Sequence, residues 1–398
     1  MASCRQADIR LLQELEKMSN SKRILFISEF AGFIGGTEKY IFSVAELLKA
    51  NGFACDMIYK TKTNAFEKFQ SVFENCVDVK KSDKLTSLHY QIKTMHRTED
   101  FTFLKFALEN FSPTLFVHDH TYVCPKGYKY FPYKRKNCSL KYDKVRCGLC
   151  SIAVPPRHFV NGFVNALKRN FSTMPKLFDV MTKFSSYVVL SDFMRGELVK
   201  NGIDKNKISL ISPFVDVQET QNQVLSGKLK ILFAGQHVAS KGLHLLFESL
   251  SKMKEDFVLD VLGEGARTPF YKDLTIQMNL ENKIKFHGFV DAPQTFYKNA
   301  DVVAFPSMWQ EPFGLVGIEA MANSKPVVAF NVGGVRQWLE NDKNGILVPE
   351  RDTKAFAKAL DTLATDVQKR NQLGNYAKEF VEKHFTKEKF LESFLKIK

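Results

Sequence analysis

Apolar residues gather along the chain in short blocks that fit strands and helices by turns. Residues 22–28 hold the run Ile24-Leu25-Phe26-Ile27 between polar neighbours, which predicts a buried strand. From 38 to 50, Tyr40, Ile41, Val44, Leu47 and Leu48 recur on one helical face, and Asn51-Gly52 stops the helix. Residues 53–59 form the next strand, and strand, helix, strand in that order predicts a right-handed parallel unit. Residues 1–20 fit less well: Leu11, Leu12 and Leu15 make one amphipathic turn or two, and Met18 is an alternative start to Met1.

Further on, 114–118 predicts a strand ending in His118-Asp119-His120, followed by a cysteine-bearing segment at 124–150. Residues 159–184 are rich in Phe and Lys at roughly helical spacing. Strands follow at 187–190 and 208–211, with a helix at 192–201 closed by Gly202. Residues 216–227 are polar, lack apolar periodicity and read as a linker. The alternation then restarts. Strands at 229–234, 257–262, 283–287, 301–305, 326–330 and 345–348 alternate with helices at 242–250, 268–277, 291–299, 314–322 and 335–339, and two more helices close it at 354–364 and 370–385. That pattern is a complete doubly wound domain, so the chain is expected to hold two, with ligands beyond the carboxyl ends of the strands.

Length agrees with this division, since 398 residues at about 150 per domain suggest two or three domains. Composition excludes a disordered or collagen-like chain: 44% hydrophobic and 25% charged is ordinary for a globular protein. No run of about 18 apolar residues exists to span a membrane. The start Met1-Ala2-Ser3-Cys4-Arg5-Gln6 lacks the apolar core of a secretory signal, which makes a cytoplasmic address the expectation. The net charge of +14 is uneven: residues 1–217 carry 33 Lys+Arg against 21 Asp+Glu, while 218–398 carry 24 against 22. A nucleic-acid binder, a membrane-surface protein and an enzyme for anionic substrates all fit such a first half.

The chemistry concentrates in the second half. In Trp309-Gln310-Glu311-Pro312-Phe313-Gly314-Leu315, a strand end leads through Glu311 into a helix whose first N–H groups favour an anion. Glu319 lies further inside that helix, and two carboxylates in a groove suit hydroxyl-rich ligands. A capping acid and a solvated helix acid are the plainer reading of the same pair. Lys241, delivered by the loop after Gly235 just before a helix, can neutralise phosphate as a point charge. Gly263-Glu264-Gly265 and Gly333-Gly334 add glycine turns after two more strands. This is neither the Gly-x-Gly-x-x-Gly of nicotinamide enzymes nor a Walker loop.

This ordered series resembles the retaining glycosyltransferases of the family-4 type, which have the GT-B fold. The motifs run Phe-Ala-Gly…Lys-Gly, Gly-Glu-Gly, Phe-His-Gly-Phe-Val, Phe-Pro-Ser…Glu-Pro-Phe-Gly…Glu-Ala, Gly-Gly-Val over 229–350, with Gly35-Gly36-Thr37-Glu38 in the first half. The resemblance implies an α/β fold of two Rossmann-like domains facing a cleft. The first is 1–217, on the acceptor side, with 124–150 as a Cys-rich insertion; the second, 218–380, binds the nucleotide sugar; a C-terminal helix, 381–398, returns to the first. It implies that Glu311 and Glu319 are the two acids of an E-x7-E motif, holding sugar hydroxyls and ribose. Lys241 and the amides around Phe313, Gly314 and Leu315 meet the diphosphate and sugar. Phe289 and Val290 read the base, Gly263 lines the nucleotide, and His118 lies near the transferred sugar, so that His118, Glu311 and Lys241 are the catalytic candidates. Gly35 and Gly36 let the first loop approach the phosphates. Gln236 stands where the family usually has Arg, and Gln337 where it often has Glu.

The implied activity is transfer of a sugar, with retention, from a UDP- or GDP-type donor to a glycan or lipid-linked acceptor in cell-surface polysaccharide synthesis. The family needs no metal for catalysis, because protein cations stabilise the departing diphosphate. A basic zinc-containing nucleic-acid binder is the rival, although no helix-turn-helix, RNP or KH pattern supports it and no nucleic-acid partner is expected. A GT-B scaffold that has lost catalysis is the other.

Two features lie outside that core. Cys124, Cys138, Cys147 and Cys150, spaced C-x13-C-x8-C-x2-C, suggest a structural zinc site, with free or redox-linked thiols and an iron–sulfur site as alternatives. Phe159, Phe163, Leu167, Phe171, Phe178, Met181 and Phe184, interleaved with Arg157, Lys168, Arg169, Lys176 and Lys183, read either as a core helix with a basic face or as a surface for anionic lipid headgroups, placing the protein peripherally on the membrane.

Overall fold

A computed structural model describes residues 22–131, 136–152, 169–217 and 227–397. The expectations for Leu11, Leu12, Leu15 and Met18, for most of the 216–227 linker, and for Phe159, Phe163 and Leu167 lie outside the described residues.

The first half is a seven-stranded parallel sheet. Its strands are β1 (Arg23–Ala31), β2 (Ala54–Lys62), β3 (Asn75–Asp78), β4 (Ile92–Met95), β5 (Thr114–Val117), β8 (Tyr187–Val189) and β9 (Ile208–Leu210), in the order β3-β2-β1-β4-β5-β8-β9. A short antiparallel hairpin, β6 (Tyr130–Phe131) with β7 (Lys136–Asn137), stands apart from it in the insertion. The central strand is apolar on both faces because helices cover both. Ile24 and Phe26 point into one core and Leu25 and Ile27 into the other, all four with no exposed surface.

The second half carries β10 (Leu229–Ala234), β11 (Phe257–Leu262), β12 (Ile284–Gly288), β13 (Val302–Phe305), β14 (Val327–Phe330) and β15 (Gly345–Val348). Their order, β12-β11-β10-β13-β14-β15, is that of the Rossmann fold. Four of the expected elements agree to the residue: 229–234, 257–262, 268–277 and 345–348.

The core of the second domain runs without a break into one face of the first, through Ile24, Phe26, Met57 and Phe116. Helix Val367–His384 ends at Phe385, and Thr386 caps a further helix, Lys387–Phe394, with its hydroxyl accepting from Lys389 N. That last helix returns to the first domain as expected. The Phe390 ring lies 6.2 Å from Tyr40 and 4.9 Å from Phe214, and Phe394 lies 6.0 Å from Phe116. Phe390 and Phe394 are both buried.

The insertion is tied down by charge. Lys129, 1% exposed, pairs with the equally buried Glu197 and donates to Leu140 O at 2.7 Å. A buried lysine needs such a partner, because desolvating an unpaired ammonium is prohibitive. Beyond it, helix Lys144–Ile152 leaves Val145 65% and Leu149 61% exposed. Of the Phe-rich stretch, Met181 and Phe184 are core residues while Phe171 is 39% exposed.

Removing one aromatic of the last helix should loosen the join between the halves. Phe390→Ala is expected to cost about 3–5 kcal/mol in urea unfolding. A loss below ~1 kcal/mol would show that this helix adds little to the joint core.

Candidate functional site

Each sheet ends, at its carboxyl edge, in loops facing the other domain. The loop after β13 carries Glu311, and its backbone is fixed at four consecutive carbonyls. Gln310 O accepts from His120 Nε2 at 2.8 Å, and Glu311 O from Gly334 N at 2.7 Å. Pro312 O accepts from Ser191 Oγ, and Phe313 O from Trp338 Nε1 at 2.7 Å. His120 and Ser191 belong to the first domain, Gly334 and Trp338 to the second. Because a carbonyl only accepts, His120 must carry its proton on Nε2. Gly333 lets the next turn close against this loop: its φ is +53°, and a Cβ there would sit 2.2 Å from Glu311 O.

The Glu311 side chain, buried, meets Lys241 Nζ at 2.6 Å through Oε1, and Ser307 Oγ donates to the same oxygen at 2.5 Å. Lys241 reaches it from a single turn, Ala239–Lys241, that closes on Gly242. Gly242 has φ +73°, and a Cβ would come within 1.8 Å of Pro306 O, so only glycine fits. The ammonium also lies 5.3 Å from the centre of the Trp309 ring. Lys241 and Glu311, 70 residues apart in sequence, are thus brought together by the fold.

Gly314, at φ +98°, begins helix Leu315–Ala322 directly after this loop. The Phe313 side chain is buried, 5.6 Å from the Phe385 ring, and leaves only its backbone to a ligand. Glu319 binds Tyr297 OH at 2.8 Å and, across the cleft, Lys39 Nζ at 3.2 Å. Gln236 Nε2 also crosses, to Ile34 O at 3.4 Å, beside Gly35 and the open Gly36. Gln337 Oε1 accepts from Asp192 N at 3.1 Å. Gly263, at φ +109°, lies against Gly235 O, and Phe289 is 74% exposed at the end of β12, with Val290 half-buried beside it. A cavity of about 550 Å³ opens at the ends of β10, β11 and β12, lined by His237, Gly263, Gly265, Thr268, Phe286 and Gly288 among others.

His118 follows β5 at the same edge, two residues before His120. Its Nε2 is 2.8 Å from His96 Nδ1, and Tyr40 meets its ring edge-on at 5.1 Å. Burial pushes His118 down to about 4 and His96 far below the usual imidazole value, so both are neutral near pH 7. Burial also lowers His120.

Sequence reasoning did not single out Lys39, His96, Ser191, Tyr297, Ser307 or Trp338 for these contacts. His120 was visible only as part of His118-Asp119-His120. The expected zinc ligands fare differently. Among the described residues no three His, Cys, Asp or Glu side chains come together as ligands of a metal ion. Cys147 Sγ accepts from Asp143 N at 3.4 Å and Cys150 Sγ from Lys126 Nζ at 3.3 Å. The structure therefore does not support the metal expectation.

Comparison with known proteins follows the same lines. Residues 216–380 match the family described as Glycosyl transferases group 1. The chain is 36% identical over 155 residues to an uncharacterized glycosyltransferase, MJ1607, of Methanocaldococcus jannaschii, covering 38% of this chain and 40% of that one. It is 34% identical over 196 residues to a D-inositol 3-phosphate glycosyltransferase of Xylanimonas cellulosilytica, covering 46% of each. The matched stretch thus spans less than half the length of these curated relatives. Solved structures extend the likeness in fold to nearly the whole chain. Anabaena Alr3699/HepE in complex with UDP and glucose has a TM-score of 0.70 at 18% identity, covering 94% of this chain and 98% of that one. TarM has a TM-score of 0.69 at 13% identity, covering 94% and 98%. The two-domain GT-B fold is the one these neighbours share with this chain.

Lowered imidazole values make a prediction about acid. His96, His118 and His120 bind protons less readily folded than unfolded, so the unfolded state takes up more protons below about pH 6.5. Stability is therefore expected to be full above about pH 7 and to fall between about pH 6.5 and 5, above the usual carboxylate range. The melting temperature measured across that window checks it; a flat curve contradicts it.

Proposed function

With residues 216–380 a domain of the glycosyl transferases group 1 family, we propose that the chain transfers a sugar, with retention, from a nucleotide diphosphate sugar to a glycan or lipid-linked acceptor. The Lys241–Glu311 pair beside the opening amides of helix Leu315–Ala322 carries this reading. It sets a cation, a carboxylate and a helix N-terminus at one point of an interdomain cleft. Breaking the sugar–phosphate bond puts negative charge on the departing diphosphate. Lys241 and the amides near Gly314 stabilise that charge where it develops, already oriented and with little reorganisation. Glu311 accepts from sugar hydroxyls, and Glu319 from the ribose once Lys39 yields. Lys39 is more than half exposed, so its ion pair with Glu319 is worth little and is readily given up. The acceptor hydroxyl attacks on the face the diphosphate leaves. Gln236 places an amide where a guanidinium would hold phosphate, which shifts more of that work to Lys241. Uracil is the favoured donor base, since several neighbours of like fold were solved with UDP.

Transfer should fail in Glu311→Ala and in Lys241→Ala, each expected to fall about a hundredfold or more while remaining folded, since each removes a charge facing the reacting groups. A thermal-shift comparison of UDP, GDP and ADP sugars should single out the UDP donors, because a ligand that binds the folded form raises its melting point. Unchanged rates in both variants would remove these residues from the site.

A lipid-linked acceptor fits one further observation. Val145 and Leu149, one helical turn apart and exposed, share helix Lys144–Ile152 with exposed Lys144 and Arg146, and exposed Leu140 and Lys141 lie just before it. An apolar stripe rimmed by cations suits an anionic lipid surface. Binding to vesicles containing phosphatidylglycerol should be salt-sensitive and should drop several-fold in Val145→Glu/Leu149→Glu. Equal binding to neutral vesicles would contradict it.

A further inference from the structure

Behind His118 runs a buried chain of hydrogen bonds. Thr94 Oγ1 donates to Leu25 O at 3.1 Å, His96 Nε2 is 3.0 Å from Thr94 Oγ1, and His96 Nδ1 is 2.8 Å from His118 Nε2. Thr94 and His96 are wholly buried. The protons can be placed one at a time. A hydroxyl has a single hydrogen, and a carbonyl can only accept. With its hydrogen on Leu25 O, Thr94 Oγ1 offers a lone pair to His96, so His96 Nε2 carries the proton.

His96 is neutral, since its ring is enclosed by Phe26 at 5.8 Å and Phe116 at 4.9 Å and lies against a second imidazole. Its Nδ1 is therefore bare and accepts from His118 Nε2–H. His118, neutral as well, is left with a bare Nδ1. The neighbouring Asp119 charge favours a proton on His118 but is outweighed by burial, and its oxygens are engaged elsewhere: Oδ2 pairs with Arg97 Nε at 3.0 Å and Oδ1 accepts from Thr121 N at 2.8 Å.

We infer that Thr94 and His96 are positioning residues that fix the tautomer of His118, so that His118 meets the substrate with a lone pair on Nδ1 and no proton. This rests on the reading that His118 borders the transferred sugar. As the bond to the diphosphate breaks, the sugar gains positive charge, and its hydroxyls become better donors. A lone pair is favourable there; an N–H or an imidazolium is not. The relay supplies this acceptor without adding a further negative charge to the site. The same relay gives a purpose to a wholly buried histidine.

Long-range 15N–1H spectra of histidine-labelled protein tell the two tautomers apart, with His96→Asn and His118→Asn giving the assignments. In the unaltered chain both His96 and His118 should be protonated on Nε2. In Thr94→Val, His96 Nε2–H loses its acceptor, its proton moves to Nδ1, and His118 is driven to the Nδ1–H form. The rate of transfer at saturating donor should then fall about tenfold or more, with donor KM changed by less than about threefold, as expected for an interaction made in the transition state. Thr94→Ser keeps the hydroxyl and should restore both tautomer and rate. His118 found as Nδ1–H in the unaltered chain overturns the proposal. So does a Thr94→Val chain that keeps the original tautomer, or one that loses rate without changing it. Should Thr94→Val not fold, the unaltered spectrum alone decides. If no nucleotide sugar is turned over, the functional reading falls while the tautomer measurement still decides the relay.

Discussion

The four carbonyls from Gln310 to Phe313 are the constraint on which the site depends. Each accepts from a different donor, two from each domain. A loop with every carbonyl engaged cannot shift one residue without breaking several bonds. Glu311 therefore keeps its place against Lys241, and the helix that begins at Gly314 starts from a fixed point. Position and domain closure are linked by the same contacts. If His120 and Ser191 move away with the first domain, the Glu311 loop loses half of its anchors.

The rest of the cleft is held more lightly. Lys39–Glu319 and Lys68–Asp291 cross it at 3.2 Å and 3.0 Å, with side chains that are mostly exposed. Such pairs contribute at most about 1 kcal/mol each and weaken with salt. A firmer connection is apolar, where Phe214, Phe390 and Phe394 join the two cores. The first half's excess of cations also gains a location, since several of them lie on the exposed part of the insertion. The second half works with a nearly balanced charge and a few placed groups.

How much was legible in the sequence follows from burial and distance along the chain. Strands such as β10 and β11 are near-continuous apolar runs between turns, and their limits were readable to the residue. β3, Asn75-Cys76-Val77-Asp78, is short and partly polar, and β4 is only four residues long, so neither produced a periodic signal. Helix Phe101–Phe111 was also missed, although Asp100 caps it through Thr102 N and Phe103 N. Lys241, Glu311 and Glu319 stood out in the sequence because their spacing repeats a known order. Ser191 and His120 were not, because their partners stand 121 and 190 residues away and only the closed fold brings them together. His96 is the clearest case: a single histidine after a four-residue strand carries no local signal, and its meaning comes from Thr94 on one side and His118 on the other. The thiols are a different case: Cys138 feels the charges of Cys124 and Cys150, and Cys147 those of Cys124 and Cys138, yet among the described residues no three of them meet as ligands of one ion.

The return of helix Lys387–Phe394 to the first domain also bears on how the chain is made. Tyr40 and Phe116 leave the ribosome long before Phe390 and Phe394, the residues that complete their packing. At the usual pace of synthesis that interval is on the order of tens of seconds. During it Tyr40 and Phe116 lack part of their packing, a form open to chaperones and to other nascent chains. Folding of the first domain is finished from the far end of the sequence, which makes late truncation a lesion of the early domain as much as of the late one.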